Sequence, residues 1–179
     1  EATQDLLWEQ GYSATSPKDI MRRSGAGQGS MYHHFTNKQE LAVEALERSA
    51  LSMCHDAEKL LAADGSACEI ATAYLRRQRD VLKGCRMGRM TFDADVLNTP
   101  ELIEPVKRTF VWLLEALTVL FERGKDQGEF AADIDARNLA SLVVATVQGG
   151  YVLARATRDT DAFDAAVEGA AALLRKATV

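Results

Sequence analysis

GYSATSPKDIMRRSGAGQGSMYHHFTNKQEL, residues 11–41, is the stretch whose reading decides the fold. Gly11 and Tyr12 end a run containing Leu6, Leu7 and Gln10 in a helix-forming context, as a C-terminal glycine does. Thr15-Ser16-Pro17 sets a hydroxyl cap directly before a proline at the first helical position, and Asp19 follows Ser16 by three residues, as in a capping box. A second helix is therefore predicted from about Pro17 to Ser24. Gly25-Ala26-Gly27 breaks it, a short helix resumes over 30–35, and Thr36-Asn37 caps a longer fourth helix. Two short helices flanking a glycine-containing turn are the arrangement of a helix-turn-helix, whose second helix enters the major groove of double-stranded DNA.

The helical period assigns roles within this stretch. Ile20, Met31 and Phe35 fall on the side that meets Leu6 and Leu7 and are expected to be core. Gln28, Ser30, Tyr32 and His33 fall on the opposite, polar side. A glutamine at Gln28 matches an adenine edge with two hydrogen bonds, and Ser30 can serve base or phosphate. Lys18, the Ser16 cap and Lys38 are candidate phosphate contacts, helped by helix N-terminal amides. Gly27 and Gly29 each weaken the short recognition helix by about 1 kcal/mol, so it is expected to order fully on DNA.

Outward from this head, 179 residues with 47% apolar content suffice for one sizeable core or two small ones. Three prolines and few β-branched runs point to an all-α chain. Three cysteines, Cys54, Cys68 and Cys85, share no close-pair spacing, which argues against a disulfide framework or metal knuckle and fits a reducing cytoplasm. The net charge of −5 opposes nucleic-acid binding at first sight. Residues 1–38, however, carry four basic and four acidic side chains, so the whole surplus belongs to the rest of the chain. No uninterrupted apolar run reaches the roughly 18 residues that would span a membrane, and no signal peptide is visible. The chain opens at Glu1, already in helical context, so an upstream segment is expected.

In the fourth helix Leu46, Ala50, Met53, Ala57 and Leu60 form one apolar stripe, and 62–67 reads as a loop. Helices are then predicted at about 68–83, 86–97, 100–127, 135–158 and 160–177. Phe110 to Phe121, FVWLLEALTVLF, is apolar at ten of twelve positions and is expected to be buried nearly all round. Tyr74, Met87, Met90, Phe92, Phe110, Trp112 and Tyr151 are the set expected to line an apolar effector cavity. Leu139, Leu142, Val143, Val147, Gly150, Tyr151 and Ala154 make one stripe; Phe163, Ala166, Val167, Ala170, Leu173, Leu174 and Ala177 make another. These two helices, with small residues at Gly149, Gly150 and Gly169, are the expected homodimer interface. Cys54-His55-Asp56 is set aside, because consecutive helical residues point about 100° apart and do not converge on one ion. No nucleophile–base spacing, phosphate loop or metal quartet supports an enzyme, and no cofactor is implied.

Gly11, Tyr12, Ser16, Ile20, Gly25, Tyr32, His34, Phe35, Lys38 and Leu41 together resemble the DNA-binding head of the TetR family of transcriptional regulators. The resemblance implies a helix-turn-helix domain over 1–46 and a helical ligand-binding and dimerisation domain over 47–179. It also implies that Tyr32 and His34 reach the DNA backbone, alongside the contacts of Gln28, Gly29, Ser30 and His33. It implies a cytoplasmic repressor that binds a palindromic operator as a dimer and is released by a small-molecule effector. Gly84-Cys85-Arg86-Met87-Gly88 is similar to a turn that opens the sixth helix in one subgroup, which makes oxidation or alkylation of Cys85 the alternative signal.

Overall fold

The computed structural model describes all residues 1–179 and consists of ten helices. They are α1 Ala2–Gln10, α2 Pro17–Ser24, α3 Gln28–His34, α4 Lys38–Leu61, α5 Ala67–Arg76, α6 Arg86–Met90, α7 Ala94–Asn98, α8 Pro100–Asp126, α9 Ala136–Thr157 and α10 Asp161–Ala177. The all-α expectation holds; extended pairing is limited to one isolated bridge between Phe130 and Thr178. The chain divides into two compact units, Glu1–Met53 with Cys85–Thr109, and Cys54–Gly84 with Phe110–Val179.

In the first unit Leu6, Ile20 and Met31 close into a buried cluster, with Met21 and Leu41 packed at its edge. This is the core drawn from the helical period, except that Phe35 is half-buried and Leu7, though buried, lies outside the cluster. Polar links tie α1 and the turn after it to 85–109 of the same unit. The Ser13 amide donates to Asp93 Oδ2 at 2.8 Å, and its hydroxyl lies 2.6 Å from Asp93 Oδ1 and 2.8 Å from Asp95 Oδ2. Arg86 pairs with Asp5 at 3.0 Å and stacks 4.1 Å from the Trp8 ring centre. Gly11 is required here: its φ of +87° is left-handed, and a Cβ would sit 3.0 Å from Asp93 Oδ2.

In the second unit α10 packs along α9 and against α5. Val143, Val147, Tyr151 and Ala154 on α9 are buried, as are Phe163, Val167, Ala170 and Leu174 on α10. The Glu129 carboxylate caps α5 from a distance, accepting from the Ala67 and Cys68 amides at 2.7 and 2.8 Å. Burial, followed by the charge of Glu129, pushes the Cys68 thiol above its ordinary range.

Four expectations change. The helix predicted over 68–83 ends at Arg76, because Arg77 turns extended and Arg79 takes the carbonyls of Tyr74, Leu75 and Arg77 that a continuing helix would use. The helix predicted over 86–97 is two, since Asp93 N-caps α7 through the Asp95 and Val96 amides. Phe110 to Phe121 is not buried all round: Leu113, Leu117, Leu120 and Phe121 are buried, whereas Val111 and Val119 face outward. Finally, the stripes divide: Val143, Val147, Tyr151 and Ala154 are spent on the chain's own core, whereas Leu142 and, on α10, Leu173 stay exposed. α9 is nevertheless 22 residues long with a mean hydropathy of 1.3, the one helix long and apolar enough to cross a membrane; its buried face packs within the unit.

Gly150 sits where α9 crosses α10, and a Cβ there would lie 2.8 Å from the Phe163 ring. Gly150→Ala is therefore predicted to destabilise the protein by about 1–3 kcal/mol despite the better helix propensity of alanine. Urea unfolding checks this, and a midpoint equal to or above wild type would contradict the close crossing.

Candidate nucleic-acid interface

The head presents α3 outward. Ser16 fixes the entry of α2: its hydroxyl accepts from the Asp19 amide at 3.2 Å and donates to Asp19 Oδ2 at 2.6 Å, while its own amide donates to the same oxygen at 3.0 Å. These bonds hold the Asp19 carboxyl below its ordinary pKa. Gly25, at φ +71°, ends α2 in a left-handed turn that an L side chain would strain. α3 then begins at Gln28, two residues earlier than expected, with Gly27 as its N-cap and no side-chain cap. The first amides, which in any helix lack an intrahelical acceptor, are therefore left without a side-chain acceptor at the N-cap.

Met31 is the buried residue of α3. Gln28, Gly29, Ser30, Tyr32, His33 and His34 are all exposed, and the two imidazoles stack edge to face at 4.8 Å. A short helix pinned by one methionine, with six neighbours free and uncapped amides at its tip, has the chemistry of a major-groove reader. A Cβ at Gly29 would meet nothing within 4 Å, so the second glycine is not demanded by packing.

The cations of the head are less available than their number suggests. Arg23 grips Glu9 through two bonds of 2.5 and 2.8 Å, and Arg22 pairs with Asp19 at 2.6 Å. Lys38 is committed as well. Its ammonium donates to the carbonyls of Tyr12 and Thr15 at 3.0 and 3.1 Å and lies 3.8 Å from the Tyr12 ring centre. It thereby fastens the α1–α2 turn to the start of α4, a positioning role that the sequence does not reveal. Lys18 is exposed on the first turn of α2. Asn37 and Glu40 complete the α4 start, Asn37 Oδ1 accepting from the Glu40 amide at 2.9 Å and Glu40 from the Thr36 amide at 2.7 Å.

The residues expected to line an effector cavity divide between the units. Met87 and Met90 are wholly buried in the first, and Tyr74 and Tyr151 are buried in the second. Phe110 and Trp112 are half-buried in the second. Phe92 is 78% exposed, at the turn that separates α6 from α7, and does not belong to a closed lining.

Residues 1–45 match the family of bacterial regulatory proteins called the tetR family, and residues 65–170 match the tetracyclin repressor-like C-terminal domain. The chain is 25% identical to the HTH-type transcriptional regulator YxaF of Bacillus subtilis, over 96% of this chain and 90% of that one. It is 26% identical to the HTH-type transcriptional repressor ComR of Escherichia coli, over 84% and 74%. A TetR transcriptional regulator from Chloroflexus aurantiacus superposes with a TM-score of 0.88 at 26% identity, over 99% of this chain and 93% of that one. With both of its halves matched, this chain belongs to the TetR family. It is a DNA-binding transcriptional regulator and not an enzyme.

Two substitutions separate reading from positioning. Gln28→Ala is predicted to cost about 1–3 kcal/mol of DNA affinity at particular base positions and little elsewhere. Lys38→Met should weaken binding to every sequence alike and destabilise the head by about 1–3 kcal/mol through the lost carbonyl bonds. Binding assays against a panel of single-base operator variants check the pair. A uniform loss from Gln28→Ala would demote it to a backbone contact, and an unchanged head stability in Lys38→Met would remove the positioning role.

Proposed function

We propose that the chain is a ligand-responsive repressor that holds a palindromic operator as a homodimer and releases it when a small, largely apolar effector enters the body. The DNA contacts of this reading are Gln28, Gly29, Ser30, Tyr32, His33 and His34 on α3, with Lys18, Ser16 and Lys38 supporting the backbone register. Residues 1–46 serve DNA and 47–179 serve effector and partner, in the cytoplasm.

One observation carries the reading: α9 and α10 keep a second apolar face that nothing in the chain covers. On α9 Leu142, Ala145, Gly149, Val152 and Ala156 are exposed at alternating spacings of three and four. On α10 Ala165, Gly169 and Leu173 are exposed at spacings of four, with Leu173 58% exposed. Small residues on both helices permit close approach, so the same helices from a second copy complete a four-helix contact. A two-fold axis through it presents two α3 helices to half-sites about 34–36 Å apart or at a longer compatible spacing. Within the first unit, the Ser13–Asp93 and Asp5–Arg86 links mean that a shift of α6 and α7 carries α1 with it.

A second reading takes oxidation or alkylation of Cys85 as the signal. Supporting it, the Cys85 sulfur accepts from the Gly88 amide at 3.2 Å, lies 4.0 Å from Met53 Sδ, and is half-exposed.

The dimer is tested by Val152→Glu, which places a charge on the outward face at a residue the monomer does not bury. Sedimentation at micromolar concentration is expected to show a wild-type dimer and a folded Val152→Glu monomer with weakened operator binding. An undisturbed mutant dimer would move the interface elsewhere, and a wild-type monomer would remove it.

A further inference from the structure

The second unit holds a cation that no carboxylate of the chain pairs. Arg79 Nη1 donates to the carbonyls of Leu75 and Arg77 at 2.7 and 2.8 Å, and Nη2 donates to that of Tyr74 at 2.6 Å. Its Nε is buried without a hydrogen-bond acceptor. The guanidinium carbon lies 5.3 Å from the Tyr74 ring centre and 5.8 Å from that of Phe163. Carbonyl dipoles and ring faces orient the group but leave its net charge in place, and burial drives its pKa below the ordinary guanidinium value. Arg76, by contrast, is paired: Glu168 meets it with two bonds of 2.6 and 2.5 Å. That pairing also consumes the neighbouring carboxylate, and Asp164 stands exposed at the first turn of α10.

Arg79 borders a cavity of about 320 Å³ whose apolar wall comprises Leu75, Val81, Phe163 and Val167, and whose polar lining sets Arg76 and Arg77 beside Arg79 against the carboxylates of Asp164 and Glu168. This volume lies at the small end of ligand sites. Three guanidinium groups against two carboxylates leave the lining one positive charge in surplus, and with Glu168 held by Arg76 that surplus beside an apolar wall selects a ligand with one anionic end and one hydrocarbon end. A carboxylate meets a guanidinium with charge-assisted hydrogen bonds; Nε and the second Nη2 proton are the donors that the carbonyls leave unused, and the buried Nε must turn toward the cavity to reach a ligand.

We propose that this cavity binds an amphipathic monocarboxylate, its carboxylate on Arg79 and its hydrocarbon body against Phe163 and Val167. This names the chemical class of effector and rests on the reading of the body as a sensor.

Calorimetric titration of the DNA-free full chain with octanoate and with its neutral isostere octanamide tests the site without depending on any operator. Octanoate is expected to bind saturably and at least tenfold more tightly than octanamide. Arg79→Lys, which keeps the charge, should retain a preference for the carboxylate. Arg79→Met should bind the two ligands equally, the octanamide affinity reporting that the cavity is still formed. If loss of the carbonyl bonds unfolds Arg79→Met, the wild-type ratio and Arg79→Lys still decide. Equal affinities in wild type, absence of saturable octanoate binding, or a preference that survives in Arg79→Met would each overturn the proposal.

Discussion

α3 cannot hold its own orientation. Seven residues, two glycines at its start and no side-chain cap leave it short of the length at which a helix persists in water. What fixes it is Met31, inserted between Leu6 of α1 and Ile20 of α2. The proposed DNA contacts on α3 depend on that small apolar contact, with Met21 and Leu41 packed at its edge, because Met31 is the one buried residue of the helix. The remaining devices of the head serve the same end. The Ser16–Asp19 box sets where α2 starts, Gly25 sets where it stops, and Lys38 clamps the turn before it.

That economy explains the charge pattern. A protein with net charge −5 binds a polyanion poorly unless local geometry overrides the overall field. Here two arginines and one lysine of the head are already bound to protein oxygen atoms. Recognition is therefore expected to lean on polar side chains, helix amides and the pairing of two heads rather than on a basic surface. Dimerisation is part of the binding chemistry on this view, since one such head offers few phosphate contacts.

The head was largely legible in the sequence because its signals are local. A hydroxyl before a proline, an acid three residues on, and glycine at a helix end act within one turn, and each appears in the structure where the residue order places it. The body was less legible because its decisive contacts are remote. No proline or glycine stops α5; Arg79 does, by taking its last carbonyls. Asp93 breaks the next helix while also serving Ser13, eighty positions earlier. On α9 two apolar stripes share one helix, and periodicity alone cannot say which meets the chain's own core. The structure assigns Val143 and Val147 to the core and leaves Leu142 and Val152 outside. The clamping role of Lys38 is not legible in the sequence because its carbonyl partners lie more than twenty residues away.

The central claim is that two copies of this chain read one symmetric DNA site through α3. Selection of bound sequences from a random duplex pool, using the full chain, measures it directly. The expected result is enrichment of an inverted repeat whose half-sites are separated by about one helical turn or a longer compatible spacing. Enrichment of a single unrepeated motif, or no enrichment over the input pool, would contradict it.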